Sequence, residues 1–88
     1  MTDASIPETV RVRLFAAARD RAGSDTIEVA AAAVHTIGDL RQAIAEQFPE
    51  LAPLLPYATM AVDEQYVSDA APVDRRGEIA VIPPVSGG

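Results

Sequence analysis

Apolar and basic residues alternate strictly in the first patterned stretch of the chain, Val10–Phe15 (VRVRLF). A period of two places successive side chains on opposite faces of a β-strand. The pattern therefore predicts a half-buried strand whose valines and leucine face a core. Phe15 lies two positions after Arg13 and so shares a strand face with the two arginines. We therefore expect its side chain to point away from that core.

A short helix and a second strand are predicted directly after this strand. Ala16–Ala22 is rich in alanine and precedes Gly23, and glycine commonly ends a helix in a left-handed conformation. Thr26–Val29 (TIEV) then alternates again and places Ile27 and Val29 on one face. These features predict a strand, a helical turn and a second strand in succession.

The main helix is predicted between Thr36 and Pro49. Thr36 is a favourable N-cap residue, and Asp39 complements the positive end of the helix, whereas Pro49 stops it. Apolar residues recur three or four positions apart and form one stripe: Ile37, Leu40, Ile44 and Phe48. Such a stripe is typical of a helix that packs against a core.

The rest of the chain predicts further strands. An apolar turn, Leu51–Leu55, precedes a third strand at Tyr57–Val62, and Asp63-Glu64 is a tight connection to Gln65–Val67. A loop then leads to the last strand, Glu78–Ile82. These segments complete a predicted order of ββαββ with one additional strand.

This order predicts an α+β fold of the β-grasp, or ubiquitin-like, type. In that arrangement one main helix packs across one face of a mixed sheet, and the first and last strands lie parallel at its centre. The apolar sequence of Ile79–Ile82 suits a central strand, which should be apolar on both sides. We expect a flexible leader over residues 1–9, the β-grasp domain over 10–82 and an extended C-terminal Gly-Gly tail over 83–88.

The composition limits the kinds of partner. The 88 residues are 49% hydrophobic and carry a net charge of −6, and all seven basic residues are arginine. An acidic surface repels the phosphate backbone, so we expect no nucleic-acid partner. A basic protein partner fits the charge better.

Missing residue types limit the chemistry. Without cysteine there is no disulfide, thiolate nucleophile or thiolate metal site, and with His35 as the single histidine we expect no metal ion. The start of the chain lacks the features of a signal peptide, and no apolar run could span a bilayer. We expect a cytoplasmic protein with no membrane partner.

The body of the chain shows no catalytic arrangement, because its serines have no histidine at a useful spacing and its glycines form no phosphate loop. The unusual feature is the end, Ile82–Gly88 (IPPVSGG). Pro83 and Pro84 favour an extended exit, and Gly87 and Gly88 fit a narrow channel because they have no side chains.

The terminal carboxylate is the reactive group that this tail offers. A free carboxylate is a poor electrophile and must first be activated, most simply as an acyl-adenylate by a separate ATP-using enzyme. A sulfur donor can then replace AMP to give a thiocarboxylate. A chain without cysteine that carries sulfur must hold it at such a site.

Three segments resemble a known family. VRVRLFAAARDRAG, TIGDLRQAIAEQFPEL and GEIAVIPPVSGG are similar to the sulfur-carrier small subunit of molybdopterin synthase, and their order along the chain is kept. The resemblance covers nearly the whole chain from Val10. One departure is Asp63-Glu64, where relatives often have an Asn-Gly-type turn.

The resemblance implies a function and partners. Gly88 would be adenylated by an ATP-dependent adenylyltransferase and converted to a thiocarboxylate. The tail would then enter the large catalytic subunit and donate sulfur to cyclic pyranopterin monophosphate, which forms the molybdopterin dithiolene. The usual assembly is a heterotetramer of two small and two large subunits. The chain would be a sulfur-donor subunit with no bound cofactor, and not an enzyme on its own.

The resemblance also implies a partner-binding surface. An apolar docking patch would comprise Phe15, Tyr66 and Ile82. The tail itself would thread into the large subunit, and its contacting residues would be Pro83, Pro84, Val85, Ser86 and Gly87. The alternation of residues along the strands agrees with this surface for Phe15 and Ile82, because it predicts that both side chains point away from the core.

Two other functions remain open. One is a related sulfur carrier for thiamine thiazole or cysteine synthesis, although thiamine carriers tend to be shorter and to lack the LFAAARDRAG segment. The other is a ubiquitin-like modifier or interaction protein. The absence of lysine rules out linkage through the chain's own lysine side chains, but it leaves the modification of other proteins possible.

Overall fold

A computed structural model describes residues 9–74 and 76–84 of the chain. The predicted leader apart from Thr9, and Val85, Ser86, Gly87 and Gly88 of the predicted tail, lie outside the described residues. The expected division into leader, domain and tail therefore remains a prediction.

The described chain forms a five-stranded mixed sheet in the order β2-β1-β5-β3-β4. Strands β1 and β5 are parallel, whereas every other neighbouring pair is antiparallel. The strands are β1 (Thr9–Leu14), β2 (Thr26–Ala30), β3 (Thr59–Val62), β4 (Gln65–Val67) and β5 (Ile79–Ile82). This topology confirms the predicted β-grasp fold, with the last strand at the centre.

Two α-helices connect the strands, α1 (Ala16–Ala22) and α2 (Ile37–Gln47). Helix α1 ends at Gly23 with φ of 75°, the left-handed conformation in which glycine has no steric penalty. Helix α2 starts with a capping box between Thr36 and Asp39. The glycine C-cap of α1 and the Thr36 N-cap of α2 are as predicted.

The core lies between α2 and one face of the sheet. It receives the predicted helix stripe from α2 and the alternating residues of β1, β2 and β5. Ile37, Leu40 and Ile44 have no exposed surface, whereas Phe48, the residue after α2, is only half-buried. The predicted apolar turn contributes the buried side chains of Leu51 and Leu55.

The third strand is shorter than predicted. Strand β3 begins at Thr59, and Leu55–Tyr57 forms a 3₁₀ turn in which the Ala58 N–H donates to the Leu55 carbonyl at 3.2 Å. Pro56 has no N–H to give to a strand pair, which explains why the chain turns here. The prediction of a strand from Tyr57 was wrong.

Asp63 and Glu64 join β3 to β4 as predicted. Both have positive φ, 50° and 69°, the pattern of a two-residue hairpin turn that usually contains glycine or asparagine. The Asp63 carboxylate accepts the Glu78 N–H at 2.9 Å, and the Asp63 N–H donates to the Glu78 carbonyl at 2.8 Å. These bonds hold the hairpin against the start of β5.

Arg41 joins α2 to the segments that precede β3 and follow β4. Its guanidinium donates to the carbonyls of Leu55 and Ala58, the latter at 2.9 Å. It also binds the Asp69 carboxylate at 2.8 Å. One half-buried side chain therefore joins the helix, the turn before β3 and the loop after β4.

Candidate functional site

The sheet has one face turned away from α2, which we call the open face. The register aligns Arg13 with Ala80, Ala80 with Ala61, and Ala61 with Tyr66. Paired residues of neighbouring strands point to the same side of a sheet. These four residues therefore form one row across β1, β5, β3 and β4.

Phe15 and Ile82 come together at one end of the open face. Phe15 follows the last residue of β1, and its N–H donates to the Val81 carbonyl at 3.3 Å. Both side chains line a shallow groove of about 110 Å³. Phe15 is 39% exposed, and Ile82 is half-buried. The structure thus brings together two of the three residues of the predicted docking patch.

Tyr66 lies on the same face, but outside this groove. It is 74% exposed on β4, and Ala61 of β3 separates it from the strand that carries Ile82. The predicted docking patch therefore corresponds to a groove with an exposed tyrosine to one side. Its third member contacts a partner only if that partner also covers β3.

Charged side chains border the groove. Arg13 lies over the Phe15 ring, with its guanidinium carbon 5.3 Å from the ring centroid. The same guanidinium binds the Glu78 carboxylate at 2.7 Å. This hydrogen bond and the attraction to the charge of Glu78 raise the pKa of Arg13 above its ordinary value. Arg13 is therefore always a cation at the edge of the groove.

A larger hollow lies on the β1–β2 side of the open face, beside the loop that precedes β5. It measures about 510 Å³ and mixes both signs of charge, being lined by Arg11, Arg13, Asp25, Thr26, Arg76, Gly77 and Glu78. Three arginines face two acidic residues there, so the lining carries a net charge of only +1 and presents no strong field of one sign. The smaller, more apolar groove is the better docking candidate.

The chain leaves the sheet beside that groove. Ile82 ends β5, Pro83 is buried and Pro84 is exposed. The other predicted site residues, Val85, Ser86, Gly87 and Gly88, lie outside the described residues. The described part of the tail therefore starts next to the groove that contains Ile82.

Sequence reasoning missed the charged border of the groove and one exposed aromatic residue. Arg13 and Glu78 are 65 positions apart, and only the parallel pairing of β1 with β5 brings them together. Glu64 also lines the groove. Tyr57 is 74% exposed, and the proline before it was the signal that could have placed it in a turn.

No metal-binding group and no membrane span were found in the described part of the chain. Within residues 9–74 and 76–84, no three histidine, aspartate or glutamate side chains are grouped as metal ligands would be. None of the helices there is long and apolar enough to cross a bilayer. His35 lies exposed in the loop before α2.

The chain is similar to known proteins in sequence. The model of the ThiS family matches residues 12–88. The molybdopterin synthase sulfur carrier subunit of Arabidopsis thaliana is 33% identical over 79 residues, covering 90% of this chain and 82% of that protein. The protein of the same name from Caenorhabditis briggsae is 35% identical over 82 residues, covering 91% of this chain and 98% of that one.

Solved structures share the fold. SAMP1 from Haloferax volcanii superposes with a TM-score of 0.76 at 25% identity, covering 92% of this chain and all of that one. A chain in the complex of subunits 1 and 2 of the molybdopterin-converting factor from Helicobacter pylori gives a TM-score of 0.63 at 22% identity, with 92% and 100% covered. At this identity the second likeness shows the fold alone.

Proposed function

We propose that this chain, which belongs to the ThiS family, is the sulfur carrier subunit of a molybdopterin synthase. The observation that carries the proposal is the match to curated sulfur carrier subunits over about nine-tenths of the chain. Those relatives favour molybdopterin over thiamine or cysteine synthesis as the pathway served. The chain is then the donor part of a transferase complex and not an enzyme by itself.

The sulfur is carried at Gly88, which the family match includes. An oxygen of its carboxylate attacks the α-phosphate of ATP on a separate adenylyltransferase, and pyrophosphate leaves. Hydrosulfide released by a sulfur donor then attacks the acyl carbon, AMP leaves, the sulfur loses its proton, and a thiocarboxylate remains. The sequence contains no cysteine, so no thiol side chain competes for this role.

The acceptor is cyclic pyranopterin monophosphate held by the large catalytic subunit. Two sulfurs are needed for each dithiolene, so two charged carriers are consumed per molecule of product. A heterotetramer of two small and two large subunits is the expected assembly. We expect the complex to work in the cytoplasm, with ATP used only by the activating partner.

The open face supports docking to that large subunit. The groove that Phe15 and Ile82 line presents apolar surface between charged neighbours, a common arrangement for the centre of an interface. The tail begins at its edge, and six extended residues from Pro83 reach at most about 20 Å. A partner seated on the docking patch therefore has the C-terminal glycine within reach of a nearby pocket.

Reconstitution tests the proposal. The full-length chain is charged with sulfur by an adenylyltransferase, ATP and a sulfur donor, and is then mixed with the large subunit and cyclic pyranopterin monophosphate. We expect molybdopterin from the full-length chain and none from a chain that lacks Gly88. Equal product from both would contradict the proposal. Calorimetric binding of both chains to the large subunit checks that docking is intact.

A further inference from the structure

Strand β2 (Thr26–Ala30) forms one outer edge of the sheet, where unpaired backbone groups would face solvent. The Leu14 N–H donates to the Asp25 carbonyl at 2.9 Å, so position 25 is bonded to the sheet. Backbone direction alternates along an antiparallel strand. The N–H and C=O groups of Thr26, Glu28 and Ala30 therefore point outward.

Side chains occupy the outward groups at one end of this edge. The Ala30 N–H donates to Oε1 of Gln47 at 2.8 Å, and Nε2 of Gln47 donates to the Ala30 carbonyl at 2.8 Å. The amide of Gln47 thus makes the two bonds that a neighbouring strand would make. Gln47 is the last residue of α2, so the helix delivers it to the edge.

The other end of the edge is occupied too. The Ser24 hydroxyl accepts the Thr26 N–H at 3.3 Å and donates to the Thr26 carbonyl at 2.8 Å. Between the two ends lies Glu28, whose carboxylate is 3.5 Å from the Arg11 guanidinium. The outward N–H and C=O groups of Thr26 and Ala30 are thus both hydrogen-bonded to side chains, and the charged residue Glu28 lies between them.

We propose that Gln47 and Ser24 close the β2 edge against strand addition by a second copy of this chain. An exposed edge strand is a template for pairing with a like strand. An antiparallel β2–β2 pair centred on Glu28 would have to break the four side-chain bonds at Thr26 and Ala30 in each copy. It would also place two Glu28 carboxylates opposite each other, at a Cβ separation of about 5 Å.

This closure directs partners to the other surfaces of the molecule. The opposite edge, β4, has only three residues, which offers a short template. The open face and the tail therefore remain the surfaces available for docking. The proposal does not depend on the sulfur-carrier function, because it concerns only whether the sheet pairs with itself.

A single introduced cysteine tests the proposal. The chain has no cysteine, so Glu28→Cys provides the only thiol, and oxidised glutathione is the oxidant that links two copies. We expect Glu28→Cys with Gln47→Ala to form disulfide dimer about fivefold faster than Glu28→Cys alone, as expected for about one net hydrogen bond freed for pairing between copies. The matched control is Gln42→Ala, an exposed glutamine of α2 that bonds only Glu46 within the described chain.

Hydrogen exchange provides a second readout that does not need association. The Ala30 amide should exchange slowly in the parent and several-fold faster in Gln47→Ala, while Gln42→Ala leaves it unchanged. Equal dimer formation in the three cysteine variants would overturn the proposal. So would an Ala30 amide whose exchange rate is the same with and without Gln47.

Discussion

Arg13 lines both the apolar groove and the larger charged hollow on the open face. Its guanidinium lies over the Phe15 ring and binds Glu78, so a cation and an anion are paired at the edge of the apolar groove. Exposed ion pairs contribute little to stability. We interpret this pair as a means of orienting Arg13 beside Phe15.

The docking patch gives the first prediction at this scale. Phe15→Asp should weaken binding to the large subunit by about thirtyfold or more, since truncating a central aromatic anchor costs about 2 kcal/mol or more. The fold should survive, because Phe15 is partly exposed and lies outside the core. Titration calorimetry measures the binding, and circular dichroism checks the fold.

A control for charge accompanies this variant. Gln42→Glu adds the same single negative charge on the exposed side of α2, on the other side of the sheet. It should bind the large subunit as the parent does. Unchanged binding by a folded Phe15→Asp chain would exclude Phe15 from the interface.

Leu40 contributes to stability and not to binding, because its side chain is fully buried between α2 and the sheet. Leu40→Ala should lower the free energy of unfolding by about 2–5 kcal/mol, through lost burial and the cavity that remains. Denaturant unfolding followed by circular dichroism measures the change. A variant as stable as the parent would show that the packing of α2 on the sheet is described incorrectly.

At the scale of the element, the start of α2 depends on the Asp39 carboxylate. The backbone N–H groups of His35 and Thr36 donate to it at 3.1 and 3.2 Å. These hydrogen bonds lower its pKa below the ordinary value of 3.8. The ionised carboxylate is therefore the form that the folded helix favours.

This shift predicts a pH dependence of stability. A carboxyl whose pKa is lower in the folded state contributes fully above its unfolded pKa, and the contribution is lost as the pH falls through the folded pKa. Asp39→Asn should thus be less stable than the parent at neutral pH, and the gap should narrow as the pH falls below 3.8. Urea unfolding at several pH values measures it. A gap that stays constant with pH would contradict this assignment.

Local patterns were sufficient to predict most elements. Alternation located β1 and β2, and the spacing of Ile37, Leu40 and Ile44 located α2, because in each case one face is buried along its length. Tyr57 was misplaced because an apolar run alone does not separate a strand from a turn. Pro56 has no N–H to donate to a neighbouring strand, so the chain forms a 3₁₀ turn at Leu55–Tyr57 instead.

Contacts between distant segments could not be predicted in this way. Gln47 meets Ala30 and Arg41 meets Asp69 only after the helix has crossed the sheet, and nothing in the neighbouring sequence marks these residues. The candidate site shows the same limit. Alternation along each strand predicted that Phe15 and Ile82 face outward. That they share one groove depends on the pairing of β1 with β5, which alternation does not reveal.

For the whole molecule, the fold separates stability from interaction. One side of the sheet is covered by α2 and holds the core, while the other side carries the groove that we propose as the docking surface. A domain of this size buries only about 60–65% of its unfolded surface. Its stability therefore depends on nearly all of that single core, whereas the proposed docking residues Phe15 and Tyr66 lie outside it.

The central claim is that sulfur is carried at Gly88, and intact-mass measurement tests it most directly. The full-length chain and a Gly88-deleted chain are each incubated with the adenylyltransferase, ATP and a sulfur donor. We predict that the full-length chain gains the mass of one oxygen replaced by sulfur, that fragmentation places the change in the C-terminal peptide, and that the deleted chain gains none. Sulfur on the deleted chain, or sulfur at another position of the full-length chain, would contradict the account.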